Sequence, residues 1–228
     1  MPELNEAIKR LTIPQKMRRL PISPTGYPIP WFVAMLPTGE RDIRIADPNK
    51  KVIAVKRKLC WVCGAPLGQF MAFVIGPMCV VNLTTSEPPC HLECAHFSAI
   101  ACPFLTKPRM RRNKTELDEI GAVNAPGLAL ERNPGAVCVW VCKHYKIFHV
   151  GPHKDDWLIR LEQPTDVFWY AHGRTATRAE VLDSIDSGLP LLEAEAAKDG
   201  IEALKHLAQQ RLAAERHLPA AAGVVVRS

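Results

Sequence analysis

The stretch CWVCGAPL at residues 60–67 and the stretch HLEC at residues 91–94 place two close pairs of soft metal ligands in one chain. Zinc in structural sites takes four Cys or His ligands in a tetrahedron, and a Cys-x-x-Cys turn supplies two of them. Gly64, directly after the second cysteine, lets the backbone bend around a metal. We therefore predict one structural zinc site, formed by Cys60, Cys63, His91 and Cys94.

The second ligand pair is expected at the start of a helix over residues 90–101. His91 and Cys94 are three residues apart, so a helix places them on one face. The positive potential of a helix N-terminus also favours a thiolate. A knuckle, a hairpin and then a helix resemble a treble-clef zinc finger. The alternative is that these are ordinary buried residues, as free cysteines often are.

Other cysteines and histidines compete for the ligand positions. Cys79 is expected on an apolar strand edge, Cys90 next to His91 should point elsewhere, and Cys102 lies more than two helical turns beyond Cys94. A buried position is favoured for each of these and for His96, with Cys79 as the first substitute ligand. A second site at Cys138, Cys142 and His144 is disfavoured, because one extended strand cannot close a tetrahedron alone.

The composition is that of a globular protein. The 228 residues are 47% hydrophobic and 23% charged, enough for one large or two small domains. No apolar run is long enough to cross a bilayer, and Glu3 and Glu6 do not fit a secretory signal. We expect a cytoplasmic protein with no membrane partner, in which clustered cysteines bind metal rather than form disulfides.

Positive charge is concentrated in the first half of the chain. Residues 1–114 contain 17 Lys and Arg against 7 Asp and Glu, whereas residues 115–228 contain 12 against 16. Clusters of this kind neutralise phosphates and give salt-sensitive binding to nucleic acid. The predicted nucleic-acid or partner surface comprises Lys56, Arg57, Lys58, Arg109, Arg111 and Arg112. Trp61, Phe70 and Phe73 are candidates for stacking on bases, although Phe70 and Phe73 fit the core better. A solvated face or a surface for an acidic protein are the alternatives.

The pattern of apolar residues predicts an α+β fold. We predict a basic zinc-binding module with a proline-rich arm over residues 1–105, a linker over 106–134, and a small antiparallel sheet with C-terminal helices over 135–228. The segment 48–58 fits both a helix and a strand. The alternation in AVCVWVC, from Ala136, predicts a strand.

The C-terminal helices carry clear boundary signals. Thr177 and Glu180 form a predicted capping box, and this helix is expected to stop near Gly188 and restart at Pro190. The last helix, over residues 200–217, has an apolar stripe of Ile201, Leu204, Ala208 and Leu212. These helices are candidates for oligomerisation.

The sequence gives little support for catalysis. Three thiolates and one imidazole make a closed, electron-rich site, whereas catalytic zinc keeps a coordination position open. Glu93 lies between two ligands but should point away from the metal on a helix. Phosphate-binding glycine loops, nucleophile elbows and the deaminase signature are absent from the sequence. An enzyme, such as a treble-clef nuclease, is therefore the weakest hypothesis.

Several segments resemble uncharacterised proteins encoded by tailed phages and prophages, over about residues 26–200. The segments are GYPIPWFVA, LCWVCGAPLG, AFVIGPMC, SEPPCHLECA, CPFLTKPRMRRN and GRTATRAEVLDSIDSGLPLL. The resemblance implies a phage-type protein that acts inside a bacterial host cell. The positions that match the family pattern are Cys60, Cys63, Cys79, His91, Cys94 and Cys102. The resemblance implies nothing about activity.

Together these features predict a zinc-stabilised binding protein that contacts nucleic acid through its basic half. The alternative is a modulator or inhibitor of a host protein, such as a component of the defence or transcription machinery.

Overall fold

The computed structural model of the chain describes residues 3–107, 135–152 and 156–221. The predicted α+β class is confirmed, with small antiparallel sheets and C-terminal helices. The described strands are β1 Val33–Met35, β2 Arg41–Ala46, β3 Met71–Ile75, β4 Thr84–Thr85, β5 Val137–Cys142, β6 Tyr145–His149, β7 Trp157–Leu161, β8 Asp166–Ala171 and β9 Arg174–Thr175. The described α-helices are α1 Pro48–Arg57, α2 Pro77–Asn82, α3 Leu92–Ala101, α4 Pro103–Thr106, α5 Arg178–Ala196 and α6 Ile201–Ala214.

The strands form three antiparallel sheets. β1 pairs with β2, a four-stranded sheet has the order β3-β5-β8-β9, and a three-stranded sheet has the order β4-β7-β6. In the four-stranded sheet Phe73 of β3 lies opposite Trp140 of β5. The region predicted as the zinc module and the region predicted as the C-terminal unit therefore share one sheet. Of the linker predicted over 106–134, residues 108–134 lie outside the described ranges.

Strand β5 is buried on both faces and separates two apolar cores. Cys138, Trp140 and Cys142 point into a core completed by α2, α5 and α6. The alternate residues Val137, Val139 and Val141 point into a second core. The second core contains α3 and side chains of the arm, including Ile8, which is 1% exposed. A strand covered on both faces has apolar residues at nearly every position, as VCVWVC has.

The ambiguous segment 48–58 is the helix α1. Asp47 caps it by accepting hydrogen bonds from the backbone N–H groups of Asn49 and Lys50. Pro48 occupies the first turn, where no N–H partner is needed. Lys58 ends the helix in the left-handed region, at φ 49°. These end signals favour the helical interpretation over the strand.

Two expectations for the C-terminal helices are wrong. α5 begins at the predicted capping box of Thr177 and Glu180, but it continues through Pro190 to Ala196. Pro190 frees only the carbonyl of Asp186, and both residues are exposed, so water can satisfy that group.

The apolar stripe predicted for α6 also does not face the core. Ile201 is 66% and Leu212 is 68% exposed, whereas Leu207 and Ala214 are the buried residues of this helix.

Of the described helices, none has both the length and the hydropathy to cross a membrane.

Candidate metal centre

The four predicted ligands come together in the structure. One ligand atom from each of Cys60, Cys63, His91 and Cys94 lies within 4.8 Å of all the others, and all four residues are buried. A zinc tetrahedron with bonds of about 2.0–2.3 Å has edges of about 3.6–3.8 Å between ligand atoms. The Nδ1 atom of His91 lies 3.4 Å from the Sγ atom of Cys63 and 3.9 Å from that of Cys94. The side chains are therefore arranged to hold a metal ion.

The first ligand pair sits in a tight knuckle. The Gly64 N–H donates to the Cys60 carbonyl and the Cys60 N–H to the Ala65 carbonyl, each at 2.7 Å. The Cys60 Sγ atom accepts from the backbone N–H groups of Cys63 and His91, each at 3.4 Å. These two contacts favour the thiolate, but the side-chain hydrogen bond with Cys63 raises the pKa of Cys60 overall. Gly64 has φ +71°, and a Cβ there would lie 2.6 Å from the Trp31 ring.

The second ligand pair is fixed by the start of α3. His91 is the N-cap residue, one position before the helix, and Cys94 lies in the first turn. The Nε2 atom of His91 lies 2.9 Å from the Pro66 carbonyl, which can only accept a hydrogen bond. The proton therefore resides on Nε2, and the lone pair of Nδ1 faces the thiols, as a metal ligand requires.

The thiols influence one another strongly. Side-chain hydrogen bonds with Cys60 and Cys94 lower the pKa of Cys63 to about 2. Hydrogen bonding to Cys60 and Cys63, together with burial, raises the pKa of Cys94. Three thiolates so close repel one another, and a bound cation removes this penalty by stabilising all three.

Two basic residues of the N-terminal arm contact the knuckle and α3. The Arg19 Nη2 atom donates to the Cys63 carbonyl at 2.9 Å, and Lys16 lies 3.6 Å from Glu93. Sequence reasoning missed Arg19 and the carbonyl of Pro66, because contacts with backbone carbonyls carry no residue-type signal. The Glu93 side chain is 49% exposed and pairs with Lys16, so it lies on the solvent side of α3, as expected.

The competing cysteines stand apart from the cluster. The Cys90 Sγ atom donates to the Ala72 carbonyl at 3.1 Å. Cys79 was expected on a strand, but it lies in α2, where burial raises its pKa to about 12. Burial also raises the pKa of Cys102. None of these three cysteines belongs to the group of four residues whose ligand atoms lie within 4.8 Å of one another.

The disfavoured second site does not form among the described residues. Cys138 and Cys142 are fully buried in the apolar core, and burial raises the pKa of Cys142 to about 11. His144 is exposed at the turn before β6. The Nδ1 atom of His96 forms a hydrogen bond with the Tyr170 hydroxyl at 2.6 Å, and His96 is not one of the four clustered residues.

Of the three predicted parts of a treble clef, the knuckle and the helix form as expected, and the hairpin differs. The knuckle and the helix are present, and Ala72 pairs with Cys90 through two backbone hydrogen bonds of 2.9 and 2.7 Å. This bridge stands where a hairpin was expected. In the chain, α2 and β4 lie between Ala72 and Cys90, the two residues that form this bridge.

The predicted basic surface is described in part. Lys56, Arg57 and Lys58 are exposed at the end of α1, two residues before the knuckle. Arg109, Arg111 and Arg112 lie outside the described residues. Of the three aromatic candidates, Phe73 is in the core as expected, at 1% exposed.

Trp61 and Phe70 behave differently from the expectation. Trp61 is 4% exposed and stacks on Phe32, with ring centroids 4.8 Å apart, so it cannot stack on a base. Phe70, expected in the core, is 49% exposed.

Comparisons of this chain with protein-family models, with curated proteins and with solved structures find no match. The fold and the site alone therefore define its class. It is an α+β protein with a buried Cys3His cluster that could hold a metal ion.

Proposed function

We propose that this chain is a phage-type, zinc-stabilised binding protein that contacts nucleic acid through its basic N-terminal half. The observation that carries the proposal is the buried cluster of Cys60, Cys63, His91 and Cys94. Four protein ligands fill a tetrahedron and leave no position for a substrate, which is typical of a structural site. Three thiolates and one imidazole favour zinc over magnesium or calcium, which prefer oxygen ligands.

The metal would also fix the position of the basic residues. The Leu67 N–H donates to the Lys58 carbonyl at 2.8 Å, and Leu59 pairs with Pro66. The end of α1 is therefore joined to the loop that carries the knuckle. Lys56, Arg57 and Lys58 are held on this end, exposed, and form no ion pair with any described residue. Cations in this setting suit phosphates.

The test is binding of labelled single-stranded and duplex DNA and RNA by fluorescence anisotropy over a salt series. We expect binding that weakens steeply with salt, and weaker binding in a variant with Lys56→Glu, Arg57→Glu and Lys58→Glu. A second variant with Arg109→Glu, Arg111→Glu and Arg112→Glu tests the other predicted cluster. The matched control reverses Lys198 and Lys205, which are exposed on the C-terminal helices. No binding at low salt would overturn the nucleic-acid proposal.

A protein partner is the second candidate function. Leu191, Ile201 and Leu212 expose apolar side chains on the C-terminal helices, at 48%, 66% and 68%. Ile201 and Leu212 are eleven residues apart and so lie on the same side of α6, and apolar residues that share an exposed face are typical of a protein contact. The partner would be a host protein or a second copy of the chain. Light scattering distinguishes these two cases, because a dimer that dissociates in Ile201→Lys would assign the helices to self-association.

A further inference from the structure

The three-stranded sheet β4-β7-β6 has one exposed face, and this face carries both basic and aromatic side chains. Trp157, Ile159 and Leu161 of β7 are buried in the core, so the alternate residues Leu158 and Arg160 lie on the opposite face. The register places Lys146 of β6 directly opposite Arg160. Thr84 of β4 lies on the other side of Arg160 in the same row.

Lys146 and Arg160 form a pair of like charges across two strands. Residues in this position have Cβ atoms about 4.5–5.5 Å apart, and like charges there destabilise a sheet. A lysine on an edge strand such as β6 protects against unwanted pairing. This reason does not apply to Arg160, because β7 is the central strand of the three. Glu162 lies 3.3 Å from Lys146 and offsets part of this repulsion. The two cations and one carboxylate leave a net positive charge on this face, which suits a ligand with negative charge.

The Arg160 side chain is exposed, and only one hydrogen bond from its guanidinium is to a group of the described residues. Its Cζ atom lies 5.4 Å from the centre of the Phe148 ring, and its Nη1 atom is 3.4 Å from the Asn82 carbonyl. No carboxylate in the described ranges forms an ion pair with Arg160. Lys146 is 3.3 Å from Glu162, but its side chain is 77% exposed. Most of the donors on both cations thus remain open to solvent.

A second cation and ring lie at the β5–β6 connection. The Lys143 Nζ atom is 5.1 Å from the centre of the Phe70 ring, and Phe70 is 49% exposed. Lys143 lies at the bend two residues before β6 begins, and its side chain is exposed. Single-stranded nucleic acid is bound by cations that track its phosphates, together with aromatic rings or guanidinium planes on which bases stack.

We infer that the face formed by Lys146, Phe148 and Arg160, extended by Lys143 and Phe70, binds single-stranded nucleic acid. This inference rests on the proposed function and adds a surface from the half of the chain with net negative charge. The alternation of cation and ring favours a nucleic acid over an acidic protein, which would need the charges but not the rings.

The experiment measures anisotropy of a labelled single-stranded 15-mer of deoxythymidine, with the full-length zinc-loaded protein over a salt series. The variant is Lys146→Gln with Arg160→Gln, and Phe148→Leu tests stacking while it keeps the apolar packing. The control is Lys198→Gln with Lys205→Gln, which removes the same charge elsewhere. The melting temperature of each protein shows whether it is folded.

We expect the double variant to stay folded and to bind about tenfold more weakly. Its slope of log affinity against log salt should fall by about 1.4, because each single-strand phosphate contact contributes about 0.7. The control should bind as the wild type does. If the wild type binds and the folded double variant binds equally well, this surface is wrong and the proposed function stands on the other basic clusters.

Two other results would also overturn the inference. If the wild type binds no single strand at low salt, this inference fails, and the duplex DNA and RNA measurements alone decide the proposed function. If the double variant loses binding to a polyglutamate peptide but not to the single strand, the surface belongs to an acidic protein partner.

Discussion

The imidazole of His91 donates from Nε2 to the backbone carbonyl of Pro66 across 2.9 Å. This contact joins the start of α3 to the loop that leaves the Cys60–Cys63 knuckle. It also directs Nδ1 toward the sulfurs of Cys63 and Cys94. One backbone carbonyl therefore helps to orient the two ligand pairs, which are distant in sequence, toward each other.

His91→Ala should lower the zinc affinity by more than about 100-fold. Loss of a supporting contact alone costs about 10–100-fold, and this change removes a ligand as well. Competition with a chromophoric chelator measures the affinity. The matched control is Cys90→Ala, which alters the adjacent residue outside the cluster. Equal affinity of the two variants would remove His91 from the site.

Gly64→Ala should destabilise the protein by about 2–5 kcal/mol. A left-handed backbone costs a residue with a Cβ about 1–2 kcal/mol, and crowding adds about 1–3 kcal/mol. A Cβ at residue 64 would lie 2.6 Å from the Trp31 ring. Gly39 has φ +85° and no atom within 4 Å of its Cβ position, so Gly39→Ala should show only the first cost. Urea unfolding compares the two, and equal losses would contradict the Trp31 contact.

Trp140→Ala should cost about 3–5 kcal/mol, as is usual for a large side chain removed from a core. Trp140 is 1% exposed in the centre of the shared sheet, and its Nε1–H donates to the Glu162 carbonyl at 3.0 Å. Ile201→Ala, at a residue 66% exposed, should change stability by less than about 0.5 kcal/mol. Circular dichroism in urea measures both. A small effect at Trp140 would mean that the shared sheet is not the core.

Glu180 should make the stability of α5 depend on pH. Hydrogen bonds from Arg174 and from the Thr177 backbone lower the pKa of Glu180 to about 2, from 4.5. A lowered pKa stabilises the fold above pH 4.5, and this contribution disappears as the pH falls from 4.5 toward 2. Glu180→Gln keeps the capping geometry without the charge.

The melting temperature should thus be lower for Glu180→Gln than for the wild type at pH 7, and the difference should vanish near pH 2. A difference that stays constant over this range would assign the effect to packing rather than to charge.

The sequence predicted the cluster of Cys60, Cys63, His91 and Cys94 because its pattern is local. A Cys-x-x-Cys turn and a His-x-x-Cys pair each appear within four residues, and only one such combination occurs. The same holds for the Thr177–Glu180 capping box, whose two hydrogen bonds lie within one turn. The apolar run over residues 136–142 predicted the strand β5, although its residues are buried on both faces and do not alternate in polarity. The end signals at Asp47 and Lys58 explain why the segment 48–58 is the helix α1.

The remaining features depend on partners far away in sequence. No local pattern indicates that Phe73 pairs with Trp140, because both strands are apolar throughout and fit many registers. The helical wheel of α6 has an apolar stripe at Ile201 and Leu212, but the core takes Leu207 and Ala214 instead. Pro190 is a strong signal for the end of a helix, but α5 continues through it. The carbonyl of Asp186, which Pro190 leaves without an N–H partner, belongs to an exposed residue and can be hydrated. Tertiary packing decides each of these cases.

The most direct test of the central claim is the zinc content per chain of protein purified from cells, for the wild type and for Cys60→Ser. We predict one zinc ion per wild-type chain, none in Cys60→Ser, and loss of structure around the knuckle and α3 in that variant. A wild type without zinc, or zinc that survives Cys60→Ser in full, would contradict a structural site at Cys60, Cys63, His91 and Cys94.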